Sequence, residues 1–153
     1  MTPSVKGEHM LTLEDRVAID QLYAGYCHAF DFGDGPGFAA LFTPDGKFVY
    51  EGVTEYAGTD ALTAFVIDRA EQVPGMRHFT ANALVQASEG GASGKAYVFV
   101  IRLGDEAPLR LRNTGEYRDE FVKTDAGWRF AQRRFASWIP AELVDRPFEL
   151  GVA

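Results

Sequence analysis

Apolar residues recur at helical spacing in the first half of the chain and at period two in the second. Thr12 followed by Asp15 has the form of an N-cap with an acidic third position and predicts a helix from about Leu13 to Asp31. At 100° per residue, Ile19, Leu22, Tyr23, Tyr26, Cys27 and Phe30 share one face. His28 and Gln21 point the other way, and Asp31 sits at the apolar rim beside Cys27. Gly33-Asp-Gly-Pro-Gly37 ends that helix, and Phe38 to Phe42 reads as a short second one stopped by Pro44. A brief strand from Lys47 to Glu51 follows the Asp45-Gly46 turn. Gly58-Thr59-Asp60 then caps a third helix, from about Ala61 to Gln72.

From Arg77 onward the alternation predicts four strands. The first, Arg77 to Ser88, groups His78 with Thr80, Asn82 and Leu84 against Phe79, Ala81, Ala83 and Val85. The second runs from Lys95 to Leu103. The third sets Leu109, Leu111, Gly115, Tyr117 and Phe121 inward and Arg110, Arg112, Glu116, Arg118 and Glu120 outward, and the fourth spans Trp128 to Trp138. Helices followed by long antiparallel strands predict an α+β fold. The expected form is a cone-shaped α+β barrel, whose curved, mostly antiparallel sheet packs on the N-terminal helices around a central cavity. One domain over 11–139 is expected, with a flexible leader at 1–10 and a C-terminal tail at 140–153 that packs on the domain or on a neighbouring subunit.

Composition narrows the function classes. The 153 residues are 46% hydrophobic, enough for one domain with a real core, and the 13% aromatic share suits a cavity wall or a dense interior equally. A net charge of −7 argues against nucleic acid or an anionic membrane as partner. Cys27 is the sole cysteine, and neither a signal peptide nor a long apolar run is visible, so a cytoplasmic protein is expected. His9, His28, His78 and Cys27 have no metal-ligand spacing. The glycines at 33, 35 and 37 follow a helix rather than a strand, which is not a dinucleotide fingerprint. No cofactor is expected.

The remaining chemistry centres on Asp31 and His78, since a carboxylate beside an imidazole can orient it and move a proton. Four stretches carry a resemblance: Leu22-Tyr23-Ala-Gly-Tyr26 running into Asp31, Phe38-Ala-Ala-Leu-Phe42-Thr-Pro-Asp45, Arg77-His78-Phe79, and Tyr117 followed by Asp125-Ala-Gly-Trp128-Arg-Phe130. Together they resemble the SnoaL-like branch of the nuclear transport factor 2 superfamily, which includes scytalone dehydratase, bile acid 7α-dehydratase and hexachlorocyclohexane dehydrochlorinase. The resemblance implies that Asp31 orients His78 as a general base, with Tyr26 and Arg133 as further catalytic groups. It matches Asn82 to a site asparagine of the dehydrochlorinase. Arg102 stands where scytalone dehydratase has a second histidine and Tyr117 where it has a substrate-binding asparagine, which argues against that particular reaction. Asn82, Tyr50, Tyr97, Arg102 and Tyr117 are the expected substrate-binding residues. From the strand alternation alone, either Arg133 or Arg134 could face the cavity.

These readings give a cofactor-independent lyase or isomerase acting on a small apolar, cyclic substrate. The alternatives are a non-catalytic binding protein, or an assembly subunit like the β subunit of ring-hydroxylating dioxygenases. Self-association as a homodimer or homotrimer through the open sheet face is expected for this fold.

Overall fold

The computed structural model describes residues 10–104 and 109–144, with the backbone of 146–147. Residues 1–9 of the expected leader, residues 105–108 of the turn, and 145 and 148–153 of the tail therefore lie outside the described residues. Helix α1 (Leu13–Asp31) opens with a full capping box: Asp15 N–H donates to Thr12 Oγ1 at 3.1 Å, and Thr12 N–H donates to Asp15 Oδ2 at 3.0 Å. The short α2 (Gly35–Ala39) starts earlier than the apolar run suggested. Asp34 caps it by accepting Gly37 N–H, and Pro36 occupies its first turn, where a missing N–H costs nothing. Strand β1 (Phe42–Tyr50) accordingly begins at Phe42 and carries Pro44 at an irregularity in its pairing. It is followed by β2 (Thr54–Ala57), too short and too exposed to leave an alternation, and by α3 (Thr59–Gln72).

Strands β3 (Met76–Ser88), β4 (Gly91–Arg102), β5 (Arg110–Thr124) and β6 (Gly127–Ser137) form an antiparallel run, with β1 joining β6 in parallel. The sheet order is β2-β1-β6-β5-β4-β3, and a two-residue β7 (Arg146–Pro147) pairs off the path with β5. The result is the predicted α+β architecture, a curved, unclosed sheet whose inner face packs on the helices. No helix among the described residues is long and apolar enough to cross a membrane.

Two bulges alter the predicted strand faces. Asn82 has φ 55°, and the β3–β4 register shifts between Ala81 and Leu84. A residue in the left-handed region re-phases everything after it, so Leu84 is exposed and Val85 packs on the core. A second shift, between Val100/Asn113 and Ile101/Leu111, makes Arg112 the extra residue of β5.

Asp15 also fixes the start of α1 to the sheet, accepting Lys123 Nζ–H and Trp128 Nε1–H on Oδ1, both at 2.8 Å. Lys123, Trp128 and the Thr12 backbone hold its carboxyl far below the usual carboxylate range. A folded-state pKa depressed in this way contributes stability above the ordinary aspartate range, and that stability is lost as the pH falls through it. Melting temperatures measured between about pH 5 and pH 2 should fall more steeply for the wild type than for Asp15→Asn; parallel curves would contradict this.

Candidate active site

β3 is the last strand of the sheet, so every second backbone N–H along it needs a partner from outside. At His78 that partner is Asp31, the final residue of α1. The His78 backbone N–H donates to Asp31 Oδ2 at 2.9 Å, with a longer contact of 3.2 Å to Oδ1. The imidazole then folds back so that Nδ1 lies 2.5 Å from Asp31 Oδ1. Both side chains are only 6% exposed. A carboxylate can only accept, so in the neutral imidazole this contact puts the proton on Nδ1 and leaves the lone pair on Nε2. Phe30 packs against the imidazole at a ring distance of 4.5 Å, and Tyr26 meets it edge-on at 6.3 Å.

His78 lines a cavity of about 130 Å³ between α1, α3 and the inner face of the sheet. Tyr26, Phe30, Phe48, Tyr56, Phe65 and Phe135 supply most of the aromatic wall, and Tyr50, Asn113 and Tyr117 supply neutral polar groups. An apolar cavity of roughly 150 Å³ accommodates a benzene ring, so this one fits a single ring in a snug pose. A larger hollow of about 1000 Å³ lies elsewhere, against Lys95, Glu116, Arg118, Glu120, Gln132 and Arg134. Its lining is of mixed charge, and none of the predicted site residues lines it.

Asn113, which the sequence reading did not single out, is buried and tightly oriented. Its Oδ1 accepts the Thr114 N–H and the Ser137 hydroxyl, both at 2.8 Å, which forces Nδ2 to be the donating end toward Tyr50 Oη at 3.1 Å. Because the Tyr50 oxygen is accepting, its own proton remains available to a ligand. The signal was present in the sequence, since Asn113 shares strand parity with Gly115 and Tyr117 and an amide is unusual on a buried face.

Tyr26 and Tyr117 line the cavity, at 0% and 2% exposure. Burial pushes both hydroxyls well above the usual tyrosine range, so they stay protonated and can donate hydrogen bonds. Arg133, and not Arg134, points into the interior, but it stands behind the cavity wall instead of on it. Its Nε–H and Nη2–H donate to the Asp119 carboxylate at 2.7 and 2.8 Å, and its guanidinium lies 3.9 Å from the Tyr117 ring centre and 4.3 Å from that of Tyr26. Burial works against this charge, but Asp119 outweighs it and raises the arginine further above its already high range. Asp119 is likewise absent from the residues expected from the sequence. It shares parity with Tyr117 and Phe121 and is the register partner of Arg133 across β5–β6.

Three expected substrate-binding residues lie elsewhere. Asn82 is exposed at the β3 bulge. Tyr97 alternates outward between buried Ala96 and Val98 and packs its ring on Trp138 at 5.2 Å. Arg102 ends β4 outside the cavity wall, where its Nε–H donates to the Pro74 carbonyl at 3.2 Å. Arg112, expected outside, is turned onto the cavity wall by the β5 bulge. Cys27 contacts the Thr80 hydroxyl at 3.3 Å, and burial raises its thiol, which keeps it un-ionised.

The model of the SnoaL-like domain matches residues 11–134. The chain belongs to the SnoaL-like family. No curated protein matches it. Similar solved structures include a protein of unknown function from Mycobacterium tuberculosis, 29% identical with a TM-score of 0.76, covering 84% of this chain and 75% of that one. An NTF2-like protein with a cystatin-like fold from Novosphingobium aromaticivorans is 28% identical over 86% of this chain and 87% of its own, again with a TM-score of 0.76. A proposed scytalone dehydratase from the same organism is 25% identical with a TM-score of 0.74, covering 92% and 96% of the two chains.

Proposed function

We propose that this SnoaL-like protein is a cofactor-independent lyase, dehydratase-like, or an isomerase, and that His78 is its general base. The observation that carries the reading is the buried Asp31–His78 pair on the wall of a one-ring aromatic cavity. The similarity to a proposed scytalone dehydratase, and to a proposed aromatic ring hydroxylase 28% identical, supports a cyclic substrate.

In this reading Nε2 of His78 removes a proton from a carbon next to a carbonyl, and the electron pair moves onto the carbonyl oxygen. Asp31 stabilises the imidazolium as it forms. Tyr117, Tyr26 or Tyr50 donates a hydrogen bond to the oxyanion, in a site where burial makes such a bond effective. Expulsion of a β substituent completes a lyase reaction, and return of the proton to another carbon completes an isomerisation. Arg133 is a positioning residue that acts through the Tyr26 and Tyr117 rings.

A test that needs no knowledge of the natural substrate is deuterium incorporation into small cyclic ketones in D₂O, followed by proton NMR. The wild type should accelerate exchange, and absence of acceleration across a panel of one-ring ketones would remove the support for a base. Asp31→Asn makes a sharper probe. Its amide oxygen can keep the His78 backbone N–H, but its NH₂ then faces Nδ1 and drives the proton to Nε2. The exchange rate should fall by about 10²–10⁴-fold with the fold intact. A wild-type rate would mean that tautomer control is irrelevant.

Exposed Phe79, Tyr97, Phe99 and Trp138 on the outer sheet face support self-association there, as a homodimer or homotrimer. Sedimentation of the purified protein as a monomer at micromolar concentration would remove that expectation.

A further inference from the structure

The protein carries 22 acidic side chains against 15 lysines and arginines, yet among the described residues no carboxylate lines the cavity. Asp31 stands behind His78 and does not reach the wall. Besides the imidazole, the ionisable side chains among the lining residues are two guanidiniums and four tyrosines. Arg69 comes from the last turn of α3, with its guanidinium 6.0 Å from the Phe65 ring centre, and Arg112 comes from the β5 bulge. Both belong to the same lining as His78 and the aromatic wall. Asn113 adds an amide whose donating end is fixed. The wall is therefore rich in hydrogen-bond donors and cations, with a sign opposite to that of the whole protein.

Arginines do not lose their charge when partly buried, so a guanidinium facing an apolar cavity favours an acceptor. Its five N–H groups allow it to hold a second acceptor beside any existing partner, so Arg112 need not be vacant to take part. Carboxylates and phosphates match the planar guanidinium fork best.

We infer that the substrate is a one-ring compound bearing an anionic group, a carboxylate or a phosphate. Arg69 and Arg112 hold that group while the ring lies in the aromatic chamber next to His78. The inference rests on the reading of this cavity as the substrate site, and it replaces a purely apolar substrate with an amphipathic one. The bulge at Arg112 then has a use, because without the extra residue this side chain would keep the outward phase of Arg118. A charge-assisted hydrogen bond at a partly buried site should favour the anion over its neutral analogue by roughly 10- to 100-fold. The preference should weaken as ionic strength rises.

The experiment is titration calorimetry of the 153-residue chain with benzoate, phenyl phosphate and benzamide, three ligands that share the ring and differ in the group attached. At least one anion should bind about 10-fold or more tightly than benzamide, and the tighter of the two names the group. Arg69→Gln or Arg112→Gln should remove most of that preference, and continued binding of benzamide to the variants shows that the cavity has survived. Arg118→Gln, on the outer face, should keep the preference. Equal affinities in the wild type would overturn the inference. So would a preference that persists in both cavity variants, since the anion would then be held elsewhere. Either result leaves His78 as a base untouched, because ketone exchange does not require an anionic group. Failure of all three ligands to bind would overturn both the anion site and the cavity as a ring site.

Discussion

His78→Ala should abolish catalysed proton exchange, a loss of at least about 10³-fold, while the protein stays folded. The combination follows from how Asp31 is held. Deleting the imidazole removes the 2.5 Å contact to Oδ1, but the backbone N–H of residue 78 still donates to Oδ2 at 2.9 Å. The helix end therefore keeps its bond to the sheet edge, and the carboxylate keeps a partner. The space vacated adjoins an existing cavity, where water or ligand can enter, so the packing cost is smaller than for a core deletion of similar size. The check is exchange rate and thermal melting on the same sample. An unchanged rate would remove His78 from the mechanism, whereas an unfolded protein would show that its role is structural.

Separating the Arg133–Asp119 pair should cost far more stability than any change in the cavity. Arg133 is fully buried and Asp119 is 3% exposed, so neither can recover its solvation if the other is removed. Asp119→Leu would leave a guanidinium enclosed by Tyr23, Tyr26, Tyr117 and Phe130, with only ring faces to balance its charge. Breaking a buried pair in this way costs about 3–5 kcal/mol, a large part of the stability of a domain of this size. Replacing both residues with leucine should recover a good share, because no uncompensated charge then remains. Urea denaturation of the two single variants and the double variant tests this. A single-variant loss below about 1 kcal/mol would mean that water reaches the pair.

The features of this chain differ in how legible they are in the sequence. The ends of α1 could be read because Thr12 and Asp15 form a local capping pattern and Gly33 supplies the positive φ, 69°, that ends the helix. The Asp31–His78 meeting could not be derived from periodicity, which places each residue on a face but does not pair faces. It entered through resemblance. Asn82 and Arg112 were misplaced for one reason: a bulge reverses strand parity, and neither bulge carries a glycine to announce it. Tyr97 was misjudged differently. Its alternation was readable, but its aromatic character suggested a wall, when the ring packs outside on Trp138. Asn113 and Asp119 were readable from parity alone, as polar residues on an otherwise apolar row.

The two carboxylates at the ends of α1 impose a rule on how this chain can vary in length. Asp15 is bonded to β5 and β6, and Asp31 to the far edge of the sheet at β3. The sixteen residues from one to the other span about 24 Å at 1.5 Å per residue. Adding or deleting a single residue between them would turn one end by about 100° relative to the other, so only one of the two anchors could engage. Insertions therefore belong at the exposed Gly52 and Gly90 turns, where an added side chain meets nothing within 4 Å. Inside α1, the chain can change its residues but not their number.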